Sequence, residues 1–127
     1  MNNGKRILLI EDEEVINFGF SKVLEEPGVE VDCAQSLEEA RANINAHRYD
    51  AAIVDLRLSS STEMEGFDCI RLLRSRQSEC RIIVLTAFCD TDSREEAGTL
   101  GVAHFFEKPM EPEIMRDALK KFGIYDH

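Results

Sequence analysis

Five short apolar runs recur along the chain, and a segment with helical periodicity follows each of them. The predicted strands are Ile7–Ile10, Val29–Cys33, Ala51–Val54, Ile82–Leu85 and Ala103–Phe106. Nearly unbroken runs of Ile, Leu and Val are typical of strands that are buried on both faces of a sheet. Strands that alternate with helices favour a parallel sheet with right-handed crossovers. The pattern therefore predicts a doubly wound α/β fold.

The predicted helices have recognisable beginnings and ends. Pro27-Gly28 ends the first helix, and Ser36-Leu37-Glu38-Glu39 begins the second with the spacing of a capping box. Pro112 and Gly123 bound the last helix, as proline and glycine commonly do. The residues predicted to face the core from these helices and the third are Ile16, Phe20, Val23, Leu24, Leu37, Ala40, Ile44, Phe67, Ile70, Leu73, Met115, Ala118, Leu119 and Phe122.

Two segments have a weaker apolar pattern. The fourth helix, between Asp90 and Leu100, contains Gly98 and has few apolar anchors, so we expect it to be short or mobile. The segment Ser59–Glu65 is unusually polar and precedes a third helix that should begin near Gly66. We expect this segment to form an exposed, flexible loop, and its role is open.

Size and hydropathy narrow the class of protein. With 127 residues, of which 43% are apolar, we expect a single domain over residues 1–127. No apolar run approaches the roughly 20 residues of a membrane-spanning helix, and the first residues do not resemble a secretory leader. We expect a cytoplasmic protein without membrane contact.

Charge and cysteine spacing exclude two classes of site. Against 25 acidic residues there are 15 basic ones, which form no cluster, so direct nucleic-acid binding is not expected. The four cysteines contain no CxxC pair, which disfavours a zinc site or a disulfide framework. Cys33 and Cys69 lie in apolar patterns and are predicted in the core, which leaves Cys89 as the redox candidate.

Polar residues follow four of the predicted strands. Glu11-Asp12 follows the first strand, Asp55 the third, Thr86 the fourth and Lys108-Pro109 the fifth. In an open parallel sheet, ligands bind outside the carboxyl ends of the strands. If the second strand is an edge and the first and third are neighbours, Glu11, Asp12 and Asp55 converge at one rim.

Three converging carboxylates would repel one another unless a cation lay between them. Oxygen ligands of this kind suit Mg²⁺, which keeps several waters and leaves room for a phosphate oxygen. Phosphoryl transfer needs an oxygen nucleophile and positive charge around the transferred group. Asp55 is the candidate nucleophile, since carboxylates form acyl phosphates. Lys108 could pair with a phosphoryl oxygen, and the Thr86 hydroxyl could donate to another.

The same residues resemble the receiver domains of bacterial two-component response regulators, and the resemblance covers nearly the whole chain. The segments that carry it are Ile7-Leu8-Leu9-Ile10-Glu11-Asp12-Glu13, Ile53-Val54-Asp55-Leu56-Arg57, Val84-Leu85-Thr86-Ala87 and Gly101-Val102-Ala103-His104-Phe105-Phe106-Glu107-Lys108-Pro109. The resemblance implies a flavodoxin-like sheet of five parallel strands in the order 2-1-3-4-5, with five helices on both faces.

The resemblance also implies roles for single residues. Asp55 would accept a phosphoryl group from a histidine kinase or a histidine phosphotransfer protein. Asp12, Asp55 and the backbone carbonyl of Arg57 would bind Mg²⁺, with Glu11 acting through metal-bound water. Lys108 would contact the phosphoryl group and precede a cis peptide bond.

In the same family pattern, Thr86 and Phe105 would form the switch, and the fourth helix, fifth strand and fifth helix would form the output face. The chain would be a signalling phosphoacceptor rather than an enzyme, with no organic cofactor. Its phosphorylated form would control a protein target, and it would be a monomer or a phosphorylation-dependent dimer. The family resemblance does not identify the kinase or the target.

The sequence departs from the family pattern at three places. Glu11 stands where aspartate is more frequent, Ser59 replaces a usual proline, and Gly66 arrives about three residues late. Arg57 lies two residues beyond Asp55, and Phe88 lies two residues beyond Thr86. The bulk of these side chains could shield an acyl phosphate from water. We therefore hypothesise slow self-hydrolysis.

Three alternatives share part of the pattern. A haloacid-dehalogenase-type phosphohydrolase would need an Asp-x-Asp motif after the first strand, which Glu11-Asp12-Glu13 does not supply. A flavodoxin-like electron carrier would need a glycine- and hydroxyl-rich phosphate loop there. A receiver that signals without phosphate would not need the complete set of acceptor, acids, hydroxyl and lysine.

Overall fold

A computed structural model of the chain describes residues 4–58 and 64–125. Five strands form one parallel sheet in the order β2-β1-β3-β4-β5, which confirms the predicted topology. The strands are β1 (Lys5–Ile10), β2 (Val29–Ala34), β3 (Ala51–Val54), β4 (Arg81–Thr86) and β5 (His104–Glu107). The helices are α1 (Glu14–Leu24), α2 (Leu37–Ala46), α3 (Glu65–Arg76), α4 (Thr91–Thr99) and α5 (Pro112–Lys120).

The core has two layers because side chains alternate across each strand. Leu8 and Ile10 of β1 face a cluster with residues of α2, α3 and α4, whereas Ile7 and Leu9 face a cluster with α1 and α5. The last four residues of β1 and all of β3 are buried, which explains their nearly continuous apolar sequence. The sheet is therefore covered by helices on both faces, as predicted.

Local signals place most helix ends correctly. The Ser36 hydroxyl accepts a hydrogen bond from the Glu39 amide at 3.1 Å, and the Glu39 carboxylate accepts one from the Gln35 amide at 2.9 Å. In a capping box the Glu39 carboxylate would accept from the amide of the cap residue, Ser36. Here it accepts from the amide of Gln35, the residue before the cap. At the other end of the chain, α5 ends at Lys120, and Phe122 packs on the core from the turn beyond it.

The structure corrects one prediction about the core. Cys69 is buried in α3, but Cys33 is exposed and lies 3.4 Å from the hydroxyl of Ser21. Cys33 belongs to β2, an edge strand whose residues are only partly covered by helices. Val29, Val31 and Cys33 lie on one face of β2 and are buried, half-buried and exposed in turn, so the helix cover of this face decreases along the strand.

The fourth helix spans 9 residues, as α5 does, and buries only Ser93 and Ala97, which agrees with its few apolar anchors. Its carboxyl end is held by Arg74 of α3, whose guanidinium donates to the carbonyls of Leu100 at 2.8 Å and Gly101 at 2.7 Å. The predicted loop before α3 lies largely outside the described residues. Among the described residues, no helix has the length and apolar character needed to cross a membrane.

Candidate functional site

The candidate site lies at the rim where the carboxyl ends of the parallel strands meet. Backbone hydrogen bonds continue past the strands and hold its residues in place. The Glu11 amide donates to the Ala34 carbonyl at 2.9 Å, and the Asp55 amide donates to the Ile10 carbonyl at 3.0 Å. The Lys108 amide donates to the Thr86 carbonyl at 2.9 Å. The sheet itself therefore fixes the backbone of the predicted site residues.

The three predicted acids come together. Glu11, Asp12 and Asp55 each place a carboxylate oxygen within 4.8 Å of the other two. Glu11 and Asp55 are only 2% and 7% exposed, and Asp12 is half-buried. A set of hard oxygen donors fits Mg²⁺ or Ca²⁺. The donor set therefore agrees with the divalent cation expected from the sequence.

Lys108 pairs with two of these acids and with Glu13. Its ammonium nitrogen lies 2.7 Å from Glu11 Oε1, 2.8 Å from Asp55 Oδ2 and 3.0 Å from Glu13 Oε2. The contact between Lys108 and Glu13 was not predicted from the sequence. The acidic run gave no signal to single it out, because the contact depends on where β5 places Lys108.

Burial and pairing act in opposite directions on the pKa values of the site. Burial raises the pKa of Glu11 to about 6, although hydrogen bonds from Lys108 and from the Glu13 amide oppose the shift. Burial alone would lower the pKa of Lys108, but its hydrogen bonds to Asp55, Glu11 and Glu13 outweigh burial and raise the pKa. Lys108 therefore stays positively charged beside Asp55.

The Thr86 hydroxyl donates a hydrogen bond to Asp55 Oδ1 at 2.8 Å and accepts one from the Phe88 amide at 3.2 Å. Thr86 is 1% exposed, so this hydroxyl is directed at the aspartate from inside the protein. The second Asp55 oxygen faces Lys108. The two carboxylate oxygens of Asp55 thus have different partners.

An open hollow of about 350 Å³ gives access to these groups. Its lining residues are Asp12, Glu13, Asp55, Arg57, Thr86, Ala87, Phe88 and Lys108. At its edge the Arg57 guanidinium lies 4.1 Å from the centre of the Phe88 ring, and the Arg57 amide donates to Asp55 Oδ1 at 3.3 Å. Asp55, Thr86 and Lys108 therefore line the same open hollow.

Comparison with known proteins decides the family. The sequence-family model described as the response regulator receiver domain matches residues 7–120, which is most of the chain. The chain belongs to the response regulator receiver domain family. The resemblance stated from the sequence is thereby confirmed, and the protein is a receiver domain of two-component signalling.

Several relatives share this domain. The photosynthetic apparatus regulatory protein RegA of Cereibacter sphaeroides is 31% identical over 94% of the chain, but the chain spans only 63% of RegA. It spans about a quarter of the alginate regulators AlgB of Pseudomonas, at 32% identity. The sporulation initiation phosphotransferase F of Bacillus subtilis is 25% identical, and 93% of each chain is covered.

Solved structures agree with the fold. A CheY-like receiver domain from Methanospirillum hungatei superposes with a TM-score of 0.85 at 24% identity, covering 94% of this chain and 93% of that one. A response regulator from Burkholderia pseudomallei superposes with a TM-score of 0.80 at 30% identity, covering 91% and 66%. That protein was crystallised with a phosphorylated aspartic acid and a calcium ion.

The late glycine of this receiver domain has a structural reason. The Gly66 amide donates to the Leu56 carbonyl at 2.9 Å. A Cβ atom on Gly66 would lie 2.2 Å from the Asp55 carbonyl oxygen and 2.5 Å from Leu56 Cα. Only glycine allows the start of α3 to contact the backbone that carries Asp55.

Two sequence-predicted details have different outcomes. The Lys108-Pro109 peptide bond is cis, as predicted. Phe105 is half-buried in β5, where it packs against the cluster under α2, α3 and α4, and the Arg94 guanidinium lies 4.7 Å from its ring centre. Its role as a switch, like that of Thr86, stays a prediction, as does metal binding by the Arg57 carbonyl.

Proposed function

We propose that this receiver domain accepts a phosphoryl group on Asp55 from a phosphohistidine donor. The observation that carries the proposal is the set of contacts on Asp55, which pairs with Lys108 at 2.8 Å and accepts from Thr86 at 2.8 Å beside Glu11 and Asp12. Such an arrangement supplies a nucleophile and positive charge at one place, which phosphoryl transfer requires. The phosphorylated aspartic acid of the Burkholderia relative supports it.

The phosphohistidine donor and Asp55 together account for every bond formed and broken in the transfer. A carboxylate oxygen of Asp55 attacks the donor phosphorus and forms the O–P bond of an acyl phosphate. The P–N bond to the donor histidine breaks, and its electron pair stays on the imidazole nitrogen. Lys108 neutralises charge on a phosphoryl oxygen, and the Thr86 hydroxyl can turn from Asp55 to another.

Glu11, Asp12 and Asp55, together with the Arg57 carbonyl, would hold Mg²⁺. When bound, the ion supplies positive charge that stabilises the phosphoryl oxygens. The carboxylate oxygens within 4.8 Å of one another support this assignment. Self-phosphorylation and self-dephosphorylation would be the only reactions of the domain, consistent with a signalling phosphoacceptor.

We infer that phosphorylation acts on partners through Thr86 and Phe105. If Thr86 moves toward the phosphoryl group, it leaves space beside β4 that Phe105 of the neighbouring strand β5 can fill. Phe105 contacts Arg94 of α4, so the movement would alter the face formed by α4, β5 and α5. We propose this face as the surface that a target protein binds, in the cytoplasm, with the domain as a monomer or a phosphorylation-dependent dimer.

Labelling with a small phosphodonor tests the proposal. Incubation with Mg²⁺ and acetyl phosphate should give one acid-stable, base-labile adduct of 80 Da or so, the mass of one phosphoryl group bound to one carboxylate. The adduct should be absent in Asp55→Asn and after removal of divalent metal with a chelator. Asp92→Asn, which changes an exposed acid of α4, is the matched control and should be labelled normally. An adduct that persists in Asp55→Asn would refute the proposal.

A further inference from the structure

All three protons of the Lys108 ammonium have a carboxylate partner in this structure. An ammonium group has three donors, and Glu11, Asp55 and Glu13 lie 2.7, 2.8 and 3.0 Å from the nitrogen. A phosphoryl oxygen that pairs with Lys108 must therefore replace one of them. The proposed function thus raises the question of which carboxylate leaves.

The three carboxylates differ in what holds them. The side chains of Glu11 and Asp55 are 2% and 8% exposed, whereas that of Glu13 is 60% exposed. Glu11 also accepts a hydrogen bond from the Glu13 amide at 3.0 Å, and Asp55 accepts one from Thr86. A buried carboxylate that loses its cation stays desolvated, but an exposed one is hydrated by water. Asp55 gives up its carboxylate charge when it forms the acyl phosphate, so the comparison is between the two glutamates. Of these, the exposed Glu13 is the one that Lys108 releases at the lower cost.

We propose that Glu13 is a positioning residue that occupies Lys108 in the unphosphorylated receiver and competes with the phosphoryl group for it. The inference rests on the proposed function and extends it to a residue outside the expected acceptor, metal and switch set. Glu13 lines the hollow that leads to Asp55, so its charge also repels an anionic phosphodonor. During transfer Lys108 moves its hydrogen bond from Glu13 to a phosphoryl oxygen, and no proton is transferred.

The competition predicts a specific kinetic change. Glu13→Gln keeps the size of the side chain but removes the charge, so the half-saturating concentration of acetyl phosphate should fall about two- to fivefold, the range for a partly exposed ion pair. The maximal phosphorylation rate should change little, because Lys108 still reaches the phosphoryl group. Glu14→Gln is the matched control, since Glu14 is the adjacent exposed acid in the first turn of α1.

An equilibrium measurement separates competition from a merely structural role. Beryllium trifluoride, a non-covalent phosphoryl mimic, should bind Glu13→Gln more tightly than wild type by a similar factor in ¹⁹F NMR titrations with Mg²⁺ present. Equal affinities in Glu13→Gln and Glu14→Gln, or weaker binding in Glu13→Gln, would overturn the inference. If wild-type Asp55 is not phosphorylated at all, the proposed function fails instead.

Discussion

Glu11 gives the metal-free protein a dependence of stability on pH. Burial is the main reason that its pKa rises from 4.5 to about 6, so between these values the folded state binds more protons than the unfolded state. The free energy of unfolding should therefore fall as the pH rises through this window, by about 2 kcal/mol for a shift of this size. Urea unfolding titrations from pH 4 to pH 7.5, with a chelator present, measure this change in the free energy of unfolding.

Glu11→Gln provides the comparison for this effect, because an amide does not ionise. The variant should lose the part of the pH dependence that lies between about pH 4.5 and 6, so that it gains stability relative to wild type at neutral pH. Glu14→Gln, whose carboxylate is exposed in the first turn of α1, should keep the wild-type profile. Identical profiles for wild type and Glu11→Gln would show that Glu11 is not the responsible group.

Arg57 and Phe88 should control how long the acyl phosphate survives. The guanidinium lies 4.1 Å from the ring centre, so the two side chains form one cover at the edge of the hollow over Asp55. Removal of either side chain should raise the first-order decay rate of the phosphorylated protein about two- to fivefold. This factor corresponds to the free energy of one exposed cation–π contact. The decay is measured by loss of the labelled adduct after the donor is removed.

Lys22→Ala is a suitable control for this prediction. Lys22 also lies over an aromatic ring, that of Phe18, at 5.1 Å, but on the exposed side of α1. Its removal should leave the decay rate unchanged. Unchanged decay in both Arg57→Ala and Phe88→Ala would show that shielding from water is not their role.

At the level of elements, two glycines in helices should respond in opposite ways to the same change. Gly66→Ala places a methyl group against the backbone of Asp55 and Leu56, and should lower the free energy of unfolding by about 1–3 kcal/mol and slow phosphorylation. Gly98 in α4 has nothing within 4 Å of an added Cβ. Gly98→Ala should raise stability by about 0.5–1 kcal/mol through helix propensity.

Urea unfolding of both variants checks this pair, with the rate of labelling by acetyl phosphate as the functional measurement. A stable, normally labelled Gly66→Ala protein would mean that α3 can move away from the Asp55 loop without cost. That result would contradict the structural reason given for the position of Gly66.

Comparison of the predicted and observed strands shows which features of the sequence pattern are informative about the fold. β1, β3 and β4 were predicted because buried parallel strands must be apolar on both faces, and each was found within two residues of its predicted start. Cys33 was misplaced because the apolar positions of β2 do not show how far the helices cover an edge strand. Glu13 was missed because its partner Lys108 is 95 residues away and is brought near only by the sheet order.

For the whole molecule, we predict that α1 is where the phosphodonor protein docks. Val15 and Phe18 are 85% and 66% exposed, which is unusual for large apolar side chains, and α1 begins directly after the acids of the site. Phe18→Ala should lower the rate of transfer from a phosphohistidine protein about tenfold, as expected for an aromatic contact at an interface. Radiolabelled donor protein measures this rate.

Acetyl phosphate is the internal control for the docking prediction, because it reaches Asp55 without an interface. Its rate of reaction with Phe18→Ala should equal that of wild type. If both donors slow down equally, Phe18 supports the site itself and not the docking of a partner. If neither changes, the donor protein binds another surface.

The sequence by itself determined the order of strands and helices, the acids at the strand ends and the family, because these follow from short-range periodicity and local motifs. Tertiary structure decided the contacts that no local motif predicted. Gly66 contacts the Asp55 backbone because the start of α3 packs against the residues that follow β3. Lys108 bridges three carboxylates because crossovers place β1, β3, β4 and β5 side by side. The Lys108 contacts join residues far apart in the chain, and no local pattern encodes the distance between them.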